Sequence, residues 1–133
     1  MEVEAAARAW AAGWERAWRA RDADAVAALY ADDAVFRSHP FRTPHVGRAG
    51  AHEYAAWAFA DEEAVQDVRF GEPIATGGRA AVEYWAVVVE KGAPVTIAGI
   101  AVLRFDDAGL VAEQHDYWAV DEAARSPWAG WGM

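Results

Sequence analysis

The chain has 133 residues, including 11 Gly and 5 Pro, with 55% hydrophobic and 25% charged residues; it reads as one globular domain, neither disordered nor collagen-like. Its net charge of −9 repels phosphate backbones and argues against a nucleic-acid partner. The chain has no cysteine, which removes disulfides, thiolate metal sites and cysteine nucleophiles together.

The first third has helical texture. Val3, Ala7, Trp10, Trp14 and Trp18 fall on one stripe of a 3.6-residue period. Glu15 and Arg19 form a favourable i,i+4 pair off that stripe. Asp22 is placed to cap a second helix, with Asp24 in its first turn. That helix is expected to carry Val26, Leu29 and Tyr30 on one face and to end near Asp32-Asp33. A short strand is expected over 34–38, followed by a loop over 39–47 in which Pro40 and Pro44 oppose regular structure. A third helix is expected over 47–59, with Tyr54, Ala55 and Ala58 on one face.

From Val65 onward the texture is that of strands. Gly77-Gly78, Lys91-Gly92-Ala93 and Asp106-Asp107-Ala108-Gly109 are turns, and the segments between them form a meander of long antiparallel strands. Residues 121–133 form a C-terminal tail with Pro127, Trp128 and Trp131. Three helices followed by a meander give an α+β fold with the helices laid over one face of a curved sheet, in a single domain over 1–133. Segments 84–89 and 97–103 are apolar without alternation, so both sheet faces are expected to be covered. The helices cover one. A partner subunit is expected over the other, giving a homodimer through the sheet face; the alternative cover is the Trp-rich tail.

These apolar runs are far shorter than the roughly 20 residues of a spanning helix, so no membrane partner is expected. The acidic start Met1-Glu2-Val3-Glu4 lacks the basic region of a signal peptide, and a cytoplasmic location is the expectation. Eight Trp, four Tyr and five Phe are a heavy aromatic load, suited to a wide apolar cavity or a large interface.

Four stretches carry a resemblance to a known family. They are Asp24 to Phe36 (DAVAALYADDAVF), the Pro-rich loop closing at Gly47, Val82-Glu83-Tyr84-Trp85, and Gly109 to Trp118 (GLVAEQHDYW). In this pattern the chain resembles the nuclear transport factor 2-like superfamily, in particular its SnoaL-like (polyketide cyclase-like) branch. The resemblance implies a cone-shaped fold with a deep apolar pocket between helices and sheet, commonly in a dimer. Members include isomerases, cyclases, dehydratases, epoxide hydrolases and proteins without chemistry. It therefore implies a small apolar or cyclic ligand and no cofactor, and leaves the reaction open.

Asp116 is the first candidate for acid–base work. It shares a strand face with Ala112, Gln114 and Trp118, and His115 faces away. Its surroundings, His115-Asp116-Tyr117-Trp118, resemble the Arg-Asp-Tyr-aromatic stretch of limonene-epoxide-hydrolase-like members, where that Asp is an acid/base group. Those enzymes add an Arg and a second Asp on a neighbouring strand. Here Glu83 and Trp85 share one face there, Val82 and Tyr84 the other, and the Arg is missing. Glu83 is a catalytic candidate if it points inward, where two close carboxyls would split their pKa values; otherwise it is a cross-strand salt-bridge partner. Ketosteroid isomerases, also similar in fold, use an Asp in the loop after the first strand. Residues 38–47 hold no carboxylate, and Ser38 and His39 stand there instead. His39 is a candidate base or hydrogen-bond donor, or a structural cap of its loop. Phe36 and Ser38 are candidate ligand contacts, and Trp14, Trp57, Trp85 and Trp118 candidate pocket walls. Trp128 and Trp131 are expected either to close the pocket mouth or to pack on a partner. The spacing of His39, His45 and His52 does not suit a metal, and no nucleophile elbow or dinucleotide fingerprint occurs. Two readings follow: a small acid–base enzyme, or a binding or interaction module without chemistry. Buried polar groups converging inside the cavity favour the first.

Overall fold

Helix α1 (Val3–Ala20) is the first element of the computed structural model, which describes residues 2–133. The Glu2 carboxylate caps it, accepting from the backbone N–H of Glu4 and Ala5 at 2.9 and 2.7 Å. The buried stripe is the one read from the period: Ala7, Trp10, Trp14 and Trp18. Helix α2 (Ala23–Ala27) starts at the Asp22 cap, whose side chain accepts from Ala25 N–H at 3.1 Å. It is shorter than expected. Tyr30 is not on its face but opens strand β1 (Tyr30–Arg37), paired in parallel with Val111. The competing interaction is tertiary: the Leu29 carbonyl accepts from Val111 N–H at 2.9 Å, pulling the chain into the sheet.

The loop after β1 contains one unexpected element. His45–Val46 form a two-residue strand, β2, pairing with Val35 and Phe36. Pro44 precedes the paired residues and does not block them. Helix α3 (Gly47–Ala60) buries Gly47, Ala51, Ala55 and Phe59. Tyr54 and Ala58, expected on its inward face, are half-buried beside that row. The strands β3 (Ala64–Phe70), β4 (Ile74–Thr76), β5 (Arg79–Glu90), β6 (Ala93–Phe105) and β7 (Val111–Asp121) follow. Lys91 and Gly92 lie at positive φ (52° and 76°) and form the two-residue turn that pairs Glu90 with Ala93.

The sheet order is β2-β1-β7-β6-β5-β3, with β4 on β5, and every pairing is antiparallel except β1 with β7. Register shifts within β1, β3 and β6 curl it. The helices lie over the concave face, α1 against β3 and β5, α3 against β1. This is the expected α+β architecture of a curled sheet with N-terminal helices over one face.

The missing alternation in β5 has its cause on both sides. Val82, Tyr84, Ala86 and Val88 face the helices. On the outer face, Trp85 packs edge-on against Trp128 and Trp131, and its indole N–H donates to the Arg125 carbonyl at 2.8 Å. Thr96 Oγ1 donates to the Ala123 carbonyl at 2.6 Å. The tail thus covers the β5 end of the outer face. Tyr117, on the β7 end, remains 51% exposed. Among the described residues no helix is long and apolar enough to cross a membrane.

Candidate active site

A cavity of about 280 Å³ lies between the helices and the concave face of the sheet. The α1 stripe supplies one wall, with Trp10, Trp14 and Trp18. Helix α3 supplies a second, with Tyr54, Trp57 and Phe59. The sheet supplies the floor, where Tyr84 of β5 meets Gln114, Asp116 and Trp118 of β7. Antiparallel register explains the grouping. Ala101 of β6 pairs with Val82 on one side and Asp116 on the other, which sets Asp116 and the Val82/Tyr84 row on one face. Gly99 lies between Tyr84 and Trp118 in that register, and a Cβ there would meet the Trp118 Cβ at 2.7 Å and the Tyr84 Cζ at 2.9 Å. The absence of a side chain lets the two rings close over the floor.

Asp116 is the chemical centre of that floor. The Tyr84 hydroxyl donates to its Oδ2 at 3.1 Å, and the Gln114 amide donates to its Oδ1 at 2.9 Å. Gln114 is held in turn by the Tyr30 hydroxyl at 2.5 Å, which accepts from the Trp14 indole at 3.0 Å. Burial pushes the Asp116 carboxyl up to about 7, against the opposing pull of the Gln114 and Tyr84 hydrogen bonds. The Tyr84 phenol is raised far out of its usual range, first by burial and then by the Asp116 charge, so it stays a proton donor at neutral pH.

A second carboxyl lines the same cavity. Glu62, just beyond α3, is 5% exposed and accepts from the Trp18 indole at 2.9 Å. Burial raises it to about 7, with the Glu90 charge adding to the rise and the Trp18 bond and Arg21 opposing it. Nothing in the helical period marks Glu62, which sits in the Asp61-Glu62-Glu63 run that normally reads as solvated surface.

Of the candidates read from sequence, Asp116, Trp14, Trp57 and Trp118 line the cavity, with Trp57 at its open rim and 60% exposed. Five candidates require correction. Glu83 and Trp85 lie on the outer face, opposite Ile100 and Ala98, because Tyr84 takes the inward position between them. Glu83 therefore does not pair with Asp116, and Trp85 walls the tail contact, not the pocket. Phe36, Ser38 and His39 form a layer outside the cavity lining. Phe36 stacks on Tyr30 at 5.5 Å and meets the Tyr54 ring edge at 4.9 Å. Ser38 is buried, its hydroxyl 3.0 Å from His45 Nε2 and its carbonyl accepting from the Trp118 indole at 2.6 Å. His39 accepts from Phe41 N–H at 3.2 Å, with its ring 5.3 Å from that of Trp118. Ser38 and His39 hold Trp118, Phe36 backs Tyr30 and Tyr54, and none of the three lines the cavity. Trp128 and Trp131 do not line the cavity; they lie on Trp85, with Trp128 65% exposed. Tyr84 and Glu62 are buried polar lining residues that the sequence does not single out, and neither does it single out Arg42, Asp61 and Glu90 nearer the cavity edge. The Lys91-Gly92 turn sets the β5/β6 register, but bringing Tyr84 to the Asp116 face needs the β6/β7 register as well.

No group of three or more metal-ligating side chains occurs among the described residues.

The comparisons with known proteins agree with this geometry. The SnoaL-like domain family matches residues 7–114. No curated protein matches. Among solved structures, the fold is similar to a hypothetical protein with a ketosteroid isomerase-like fold from Catenulispora acidiphila, in complex with trimethylamine. That likeness has a TM-score of 0.71 at 21% identity and covers 83% of this chain and 85% of the other. It is also similar to an epoxide hydrolase of M. tuberculosis resembling the limonene enzymes (LEH-like), with a TM-score of 0.69 at 18% identity over 87% and 84% of the two chains. A family match over most of the chain identifies this protein as a member of the SnoaL-like domain family.

Proposed function

We propose that this protein is an acid–base enzyme of the isomerase, cyclase or hydrolase type, acting on a small apolar, cyclic molecule with its own side chains as the proton carriers. The observation that carries this reading is Asp116: a buried carboxyl on the cavity floor, poised near neutrality, with two donors fixing its oxygens. A group half-ionised near pH 7 both removes and returns a proton at useful rates. Ionised Asp116 takes a proton from the ligand, and the electron pair left behind delocalises onto a ligand oxygen. The same carboxyl, now protonated, delivers the proton to a second ligand atom. The Tyr84 hydroxyl and the Gln114 amide hold the carboxylate while it is charged. The aromatic walls orient the ring.

The test is a panel of cyclic ketones, enones, lactones and epoxides incubated in D2O and followed by proton NMR. Wild-type protein is expected to convert or deuterate at least one of them. Asp116→Asn keeps the shape and is expected to slow that reaction by about 10²–10⁴-fold with affinity nearly unchanged. A variant as fast as wild type overturns the assignment. Ligand binding without turnover in wild type favours the binding module.

The dimer belongs to the same proposal. The tail covers only the β5 end of the outer face, and a second copy over Ile100 and the exposed Tyr117 would cover the rest. Sedimentation at micromolar concentration is expected to give twice the chain mass. A monomer there leaves the tail as the sole cover.

A further inference from the structure

The cavity is chemically lopsided. Among the described residues its lining holds four carboxyls, Asp61, Glu62, Glu90 and Asp116, and a single cation, Arg42. Arg42 does not neutralise them. Its guanidinium is stacked on the rim, 5.3 Å from the Trp57 ring and 5.4 Å from the Trp118 ring. Arg21 donates to the backbone carbonyl of Glu62 and not to its carboxylate, on which it acts only through its charge. Glu62 has one oxygen on the Trp18 indole. Among the described residues its other oxygen has no hydrogen-bond or ion-pair partner, and Glu62 lines the cavity. A buried carboxylate with a free oxygen, facing a cavity walled by aromatic rings, is an incomplete ion pair.

We propose that the ligand of this pocket is an apolar amine, whose ammonium group pairs with the free oxygen of Glu62 beside the indole of Trp18 while its apolar body fills the aromatic cavity. The inference rests on the acid–base reading only in taking this cavity as the ligand site. An ammonium supplies the donors and the charge that the protein leaves unmet, and aromatic neighbours favour a desolvated cation. Glu90, in the same lining, adds to the negative potential, and Asp61 lies at the exposed edge. A neutral ligand would leave Glu62 to take up a proton. An anion would be repelled by the carboxyls and drawn only to Arg42 at the rim. Asp116 stands on the floor beside Tyr84 with both oxygens already bonded, so the two carboxyls divide the work: Glu62 anchors and Asp116 exchanges protons.

The test uses three probes of one shape, cyclohexylmethylamine, cyclohexylmethanol and cyclohexanecarboxylate, titrated by calorimetry and by tryptophan fluorescence. At pH 8 the amine is expected to bind about tenfold or more tighter than the alcohol, as for a hydrogen bond to a charged group, and the carboxylate weakest. The preference should fall severalfold at pH 6, where Glu62 is mostly protonated while the amine stays charged. Glu62→Gln keeps an acceptor for Trp18 and is expected to bring amine and alcohol within about threefold, whereas Asp116→Asn preserves the preference. Equal binding of amine and alcohol overturns the proposal and leaves the pocket reading standing. So does tightest binding of the carboxylate, or a preference lost in Asp116→Asn and kept in Glu62→Gln. A flat wild-type pH profile overturns it without any variant. Failure of all three probes to bind overturns the pocket reading as well.

Discussion

The two faces of the sheet are made by alternate residues of the same strands, yet they solve different problems. On the concave face Tyr84 reaches Asp116, and a polar chain from Trp14 through Tyr30 and Gln114 ends there. On the outer face, one residue further along β5, Trp85 is sealed under Trp128 and Trp131 with its indole N–H on a tail carbonyl. Both faces bury aromatic rings. Only the concave one leaves a cavity, and only there are titratable groups buried with it. The difference teaches that burial alone does not make a site. Covering a strand with its own tail yields packing, whereas covering it with helices held apart by tryptophans yields a chamber with a stranded carboxyl.

The sharpest way to expose this contrast is the pH dependence of stability. Asp116 binds its proton more tightly when folded, its pKa rising from 3.8 to about 7. Its contribution is therefore fully favourable below the unfolded pKa and is lost as pH rises to about 7. Asp116→Asn removes that loss. The variant is expected to gain about 4 kcal/mol on wild type between pH 4 and pH 8, read from urea unfolding at each pH. A constant difference would mean that the concave carboxyl is not buried as described.

The outer face should fail differently. Trp85→Ala removes the ring on which the tail packs and is expected to cost about 3 kcal/mol, independent of pH, with earlier proteolysis after residue 121. Binding in the cavity should change by less than about twofold, since nothing on that face lines it. A parallel loss of ligand affinity would break the separation of the two faces.

The smallest effect is expected at Glu83. Glu83→Gln should shift stability by no more than about 0.5 kcal/mol and leave turnover unchanged, because the residue sits on the outer face. A large fall in activity would return Glu83 to the catalytic group.

Much of this was legible in the residues themselves. The 3.6-residue stripe of α1, the Asp22 cap, the turns around β5 and β6 and the placement of Asp116 with Gln114 and Trp118 on one face depend on local geometry, which a sequence carries directly. The same holds for the missing alternation of β5, whose outer face carries Trp85 under the tail. Other features needed the whole fold. Tyr30 leaves its helix because Val111, far along the chain, offers a strand partner. Glu62 becomes a carboxyl with a raised pKa because the fold takes it out of water beside Trp18 and β5 brings the charge of Glu90. Tyr84 displaces Glu83 as the partner of Asp116 because two successive registers decide which face turns inward. Periodicity reports which residues share a face; which face becomes the chamber, and what is buried with it, depends on contacts between residues remote in sequence, and those exist only once the sheet has curled under its helices.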